Sequence, residues 1–183
     1  MDDGGWEKVE YRLVTGTTPA LQAFAGHVAS MYANGGCLLR KFEPLSPGGF
    51  DLTWRNDLRG LGHMLSSFLG RPEVRAALRE IRLGEAALDA LPFRAIGAFE
   101  LEGALTQILL WGGAYNSGMP EEPARLASRA FVDELIGDRR HAHVFAIQGA
   151  WTPWFQDVAW DYSFIVLDAD RRAWWTLFMT DTD

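Results

Sequence analysis

The chain has 183 residues, of which 48% are hydrophobic and 22% charged, a balance that predicts a folded domain and excludes an intrinsically disordered chain. The formal net charge of −7 disfavours nucleic acid as a partner, because phosphate binding depends on clustered lysine and arginine side chains. A single cysteine, an acidic N-terminus without an apolar core, and the lack of an apolar run long enough to span a bilayer favour a cytoplasmic protein.

The first part of the chain is expected to contain both strands and a helix. Alternating apolar residues predict a half-buried strand over residues 6–14. A threonine cap, with Pro19 in the first turn, begins a helix that ends near Tyr32, just before two glycines. The segments CLLRKFEPL and FDLTW follow, and the SPGG between them suggests that these two extended segments form a hairpin.

The rest of the chain divides into a helical part and a strand-rich part. Residues 55–136 are predicted to be helical, because their apolar residues recur at helical spacing. Residues 141–180 are predicted to form three strands, since they are rich in β-branched and aromatic residues. We therefore expect a single α+β domain, residues 1–183. An antiparallel sheet, made of the N-terminal strand and a C-terminal three-stranded meander, would pack against a helical layer of about five helices.

The last two predicted strands form a hairpin whose register follows from its turn. If the turn is centred between residues 170 and 171, Tyr162 faces Met179 and Asp161 faces Thr180. This register gathers four acidic side chains at the end of the sheet where the segment WTPWFQDVAW enters: Asp157, Asp161, Asp181 and Asp183.

The tryptophan-rich segment WTPWFQDVAW, residues 151–160, supports a first interpretation, a surface that binds another protein. Trp160 is expected in the core, whereas the aromatic residues before it flank a proline and are expected to be exposed. Exposed tryptophans dominate many protein interfaces, and negative charge favours a basic partner. The chain would then be a non-enzymatic protein-binding domain, for example a bacterial immunity protein that neutralises a toxin. The partner-binding residues would be Trp151, Trp154, Phe155, Asp157 and Asp161.

The aspartates support an alternative interpretation, a divalent-metal site in an enzyme or a metal-binding domain. Carboxylate oxygens are the ligands that Mg²⁺ and Ca²⁺ prefer, and neighbouring carboxyl groups can serve as acid and base. The D-x-D-x-D-G spacing of a calcium loop is missing from the sequence. The ligands would be Asp157, Asp161, Asp181 and Asp183. A third interpretation is a homodimer that buries the aromatic residues between two copies of the chain.

Three other features carry less chemical information. His141 and His143 would point to one face of a strand, where a third ligand would complete a zinc site, but a surface pair beside two arginines is the simpler interpretation. Glu100 and Glu102 are expected to open a helix, with their charges at its positive end. Cys37 has no identifiable charged partner that would activate its thiol, so we expect it to be inert.

Divalent ions distinguish the two main interpretations. If the aspartates bind a metal ion, one of Mg²⁺, Ca²⁺, Mn²⁺ and Zn²⁺ should raise the unfolding temperature above its value in EDTA, because a ligand that binds only the folded state stabilises it. Thermal unfolding of the purified chain measures this shift. The protein-binding interpretation predicts the same unfolding temperature with every ion.

Overall fold

The computed structural model describes residues 8–46, 58–84, 88 and 91–181, and this part of the chain has an α+β fold. Its strands are β1 (Tyr11–Val14), β2 (Gly36–Pro44), β3 (Phe93–Ile96), β4 (Ala142–Gln148), β5 (Tyr162–Asp168) and β6 (Ala173–Thr180). They form one antiparallel sheet in the order β1–β2–β6–β5–β4–β3. The last strand in the sequence therefore lies in the interior of the sheet, between β2 and β5.

Five α-helices accompany the sheet in the described residues: α1 (Pro19–Met31), α2 (Leu58–Gly70), α3 (Pro72–Ala77), α4 (Ala98–Trp111) and α5 (Glu121–Leu135). Helix α1 begins as the sequence predicts. Thr18 caps it, since its side chain accepts the N–H of Leu21. Pro19 suits the first turn because it has no N–H that would need an acceptor there. Short 3₁₀ turns cover Arg79–Ile81 and Arg139–His141. None of the described helices combines the length and the apolar character that a bilayer-spanning helix requires.

The helices are divided between the two faces of the sheet, and each face has its own hydrophobic core. Helices α1, α4 and α5 pack on one face, and α2 and α3 pack on the other. Trp174 of β6 stacks on Phe68 of α2 with ring centroids 4.3 Å apart, whereas Trp175 belongs to the opposite core. All eight residues of β6 are buried, which explains why this strand lacks the polar alternation of a half-exposed strand.

The predicted hairpin register is confirmed, since Tyr162 pairs with Met179 in the β5–β6 ladder. Of the N-terminal strand predicted over residues 6–14, the structure shows Tyr11–Val14 as β1, and residues 6 and 7 lie outside the described part of the chain. Strand β2 lies between β1 and the C-terminal strands. Strand β3 lies within residues 55–136, which are predicted to be helical; a four-residue strand after a proline shows too little periodicity to be predicted. The second half of the predicted hairpin, FDLTW, lies outside the described residues.

Asp181 follows β6 directly and attaches two loops to the end of the sheet. Its side chain is fully buried, and its carboxylate accepts the N–H of Asn34 at 3.0 Å and the N–H of Ala114 at 2.9 Å. Gly113 packs so closely here that a Cβ atom on it would clash with Asp181 Oδ2. The loops that follow α1 and α4 are therefore held against the end of β6.

Gly113→Ala should destabilise the protein by about 1–3 kcal/mol, since the added methyl group would clash with the Asp181 carboxylate and the Met31 carbonyl. Gly26→Ala is the matched control, because Gly26 lies in α1 and no atom stands within 4 Å of the added carbon. The control should stabilise the protein by about 0.5–1 kcal/mol. Urea unfolding measures both changes, and equal effects would contradict close packing at Gly113.

Candidate functional site

The tryptophan-rich segment lies between β4 and β5 and contacts both hydrophobic cores. Trp151, Trp154 and Phe155 pack against the core on the α2 side, whereas Trp160 packs against the core on the α1 side. The segment therefore passes around the end of the sheet from one face to the other. Trp160 is half-buried and contacts the core, as the sequence predicts.

The expectation that the earlier aromatic residues form an exposed lip is wrong for Phe155. This side chain is 5% exposed, and its ring meets Phe178 edge-on with centroids 6.3 Å apart. Trp151 is half-buried, and its Nε1 donates to Ser163 Oγ at 2.8 Å. Trp154 is also half-buried and lies edge-on to Phe155 with centroids 5.0 Å apart. These aromatic side chains anchor the segment to the core. Trp151 and Trp154 are only partly buried, so their role in binding a partner stays a prediction.

Asp161 serves as an internal hydrogen-bond acceptor. Its side chain is 7% exposed; Oδ2 accepts the N–H groups of Gln156 and Val158 at 3.0 and 3.1 Å, and Oδ1 accepts the Thr180 hydroxyl at 2.6 Å. The expectation that Asp161 faces a partner is therefore wrong. Asp157 is exposed, with a φ of 60° that aspartate adopts more readily than most residues.

Two of the four predicted metal ligands are already hydrogen-bonded within the protein. Asp161 accepts two N–H groups and a hydroxyl, and Asp181 accepts two N–H groups from loops. Asp183 lies outside the described residues, so the four-residue site stays a prediction. A metal ion bound there would have to replace or share contacts that hold the surrounding loops.

A different group in the described residues has ligand atoms close enough for a metal ion: Asp138, His141 and Asp170 lie within 4.8 Å of one another. His141 Nδ1 is 3.1 Å from the Asp170 carboxylate, and Arg140 pairs with Asp138 at 2.6 Å, so each member already has a protein partner. His143 is not part of this group. It lies half-buried in β4, where burial lowers the pKa of its imidazole.

A cleft of about 620 Å³ lies between α4 and the strands β3, β4 and β5, with the tryptophan-rich segment contributing to its wall. Along α4 the lining extends from Glu100 to Trp111, which are about 16 Å apart on the helix axis. The cleft is therefore elongated. Small side chains leave this space open: Gly103, Ala104, Ala146, Gly149 and Ala159.

Few charged groups line the cleft. Arg94 of β3 and Glu100 of α4 form an ion pair, and their side chains are 60% and 48% exposed. Asp161 is the third charged residue of the lining, but its oxygens are occupied by internal hydrogen bonds. Tyr162 also lines the cleft, and burial raises its pKa, so its hydroxyl stays neutral at physiological pH. Among the residues that line the cleft, Glu100 therefore carries the carboxylate that a bound molecule can reach.

Trp111 lies at one end of the cleft and is 66% exposed. Among the described residues, every other tryptophan is buried or half-buried. Phe99, near the start of the same helix, is 76% exposed, but the guanidinium of Arg139 lies 4.9 Å from the centre of its ring. A tryptophan exposed beside a cleft is a common feature of binding surfaces, because its large apolar ring gains most when a partner covers it.

Trp111 is not among the residues predicted from the sequence, although the sequence contains a signal for it. Glu100, Gln107 and Trp111 are spaced seven and four residues apart, so they share one face of α4. Two polar residues on the face that ends in a tryptophan indicate that this face is exposed. The eight-residue run ALTQILLW conceals this pattern, since most of its residues are apolar and belong to the opposite face.

Comparison with known proteins adds no relative, since no protein-family model, curated protein or solved structure matches the chain.

Asp161→Asn should destabilise the protein by about 1–3 kcal/mol, because an amide cannot accept all three hydrogen bonds of the carboxylate and leaves a buried donor unsatisfied. Asp157→Asn is the matched control, since it makes the same chemical change on an exposed side chain four residues earlier. The control should change stability by less than about 0.5 kcal/mol. Urea unfolding measures both variants, and equal stability of the two would contradict the acceptor role of Asp161.

Proposed function

We propose that this chain is a non-enzymatic, cytoplasmic protein-binding domain, and that the cleft beside α4 receives part of the partner protein. The observation that carries the proposal is Trp111, which is 66% exposed at the end of an elongated cleft. Tryptophan is enriched among the few residues that supply most of the binding energy in protein interfaces. A partner that covers this ring would remove a large apolar surface from water.

The shape of the cleft favours a segment of a protein over a small molecule. Sites for small ligands usually enclose most of the ligand surface. Here three residues of the lining, Arg94, Glu100 and Trp111, keep about half or more of their side chains exposed, at 60%, 48% and 66%. The length of about 16 Å along α4 matches several residues of an extended chain.

Neutralisation of a toxin, as in a bacterial immunity protein, is the specific form of this function that we propose. The net charge of −7 supports a basic partner, because complementary charge accelerates association and disfavours wrong partners. The proposed surface differs from the one expected from the sequence. Trp151, Trp154 and Phe155 pack on the core, so the tryptophan-rich segment supports the wall of the cleft while Trp111 supplies the exposed aromatic contact.

A photo-crosslinking amino acid in place of Trp111 should capture one discrete protein in cells that express the chain and its partner. The matched control carries the same amino acid in place of Leu126 on α5, which is 52% exposed and does not line the cleft. The control should capture no discrete protein. Equal products at both positions, or no protein adduct at position 111, would contradict the proposal.

With the captured partner purified, Trp111→Ala should weaken binding by about thirtyfold, the effect of losing about 2 kcal/mol from an interface hot spot. Leu126→Ala should change binding by less than about twofold. Isothermal titration calorimetry measures both affinities. Thermal unfolding provides the control for folding, and because Trp111 is mostly exposed its replacement should leave the unfolding temperature nearly unchanged.

A further inference from the structure

We propose that the cleft selects a basic segment of its partner, with an arginine of that segment paired to Glu100 and an apolar side chain placed against Trp111. This inference rests on the protein-binding function proposed above, because it specifies the chemistry of the segment that the cleft receives.

Charge complementarity is the first argument for a basic segment. Two of the three charged residues that line the cleft, Glu100 and Asp161, are acidic, and the third is Arg94. Asp157 also lies near the cleft. Gly149 is part of the cleft wall, and a Cβ atom added to it would be 3.9 Å from Asp157 Oδ1. The chain as a whole carries a net charge of −7. A cationic segment therefore complements both the cleft and the protein.

The ion pair between Arg94 and Glu100 indicates how a partner's arginine would bind. Glu100 already binds a guanidinium, and the Arg94 side chain is 60% exposed, so it can turn into solvent when another arginine replaces it. Exposed ion pairs contribute little to stability, so this exchange has a small cost. A guanidinium can form two parallel hydrogen bonds with a carboxylate, whereas an ammonium group acts as a point charge, which favours arginine over lysine.

The distance between the two ends of the cleft sets the spacing within the segment. Glu100 and Trp111 are about 16 Å apart along α4. An extended chain advances about 3.3 Å per residue, so the arginine and the apolar side chain would be about five residues apart. Gln107 lies between them on the same face of α4 and lines the cleft, where its amide can hydrogen bond with the backbone of the segment.

A labelled nona-arginine peptide tests the Glu100 end of the cleft by fluorescence anisotropy at about 20 mM salt, where charge interactions are weakly screened. Glu100→Gln should weaken binding about fivefold, because it removes the negative charge and one of the two acceptor oxygens. Arg94→Ala should strengthen binding, because it frees the Glu100 carboxylate. The ion pair between Glu122 and Arg125 on α5 is the matched control, since its side chains are 64% and 48% exposed. Glu122→Gln and Arg125→Ala make the same charge changes away from the cleft and should alter binding less than about twofold.

Three results would overturn the inference: equal weakening by Glu100→Gln and Glu122→Gln, no binding of nona-arginine, or equal binding of a nona-lysine peptide. Equal weakening would mean that the peptide responds to net charge alone. The crosslinking experiment at position 111 tests the protein-binding function separately. A discrete protein adduct there, combined with any of these three peptide results, would keep the function and exclude the arginine-bearing segment.

Discussion

Buried aspartates that accept backbone N–H groups hold the loops of this protein to the ends of its central strands. Asp161, Asp168 and Asp181 lie beside or at the ends of β5 and β6 and are 7%, 0% and 0% exposed. Asp168 accepts the N–H of Gly137 at 2.9 Å and the N–H of Arg171 at 3.1 Å. A buried carboxylate is costly unless it is hydrogen-bonded, and buried loop N–H groups also require partners. Each aspartate satisfies both requirements at once.

The shape of the cleft depends on two of these aspartates. Asp161 holds the N–H of Val158, which is part of the cleft wall, so it fixes the tryptophan-rich segment beside the strands. Asp181 holds the N–H of Ala114, three residues after the exposed Trp111, so it fixes the end of α4. The cleft is therefore bounded by two elements that β5 and β6 position from the same end of the sheet. This common support holds both sides of the open cleft in place.

The sequence was sufficient to predict the α+β class and the β5–β6 register, because the strands are strongly apolar and joined by a short turn. It also placed Asp161 opposite Thr180 correctly. It could not reveal the role of Asp161, since an aspartate facing solvent and one facing loop N–H groups look identical in sequence. The cleft was equally hidden, because Gly103 of α4 and Ala146 of β4 come together only in the folded protein.

Amide hydrogen exchange, followed by NMR, tests most directly whether the buried aspartates hold these loops. The N–H groups of Asn34, Ala114, Gln156 and Val158 lie outside helices and strands, but each donates to Asp161 or Asp181. They should exchange as slowly as the amides of the β5–β6 ladder, because opening these bonds would leave a buried carboxylate without its hydrogen-bond donors. Exchange at the rate of an unstructured peptide, while the β5–β6 ladder stays protected, would contradict this role for the aspartates.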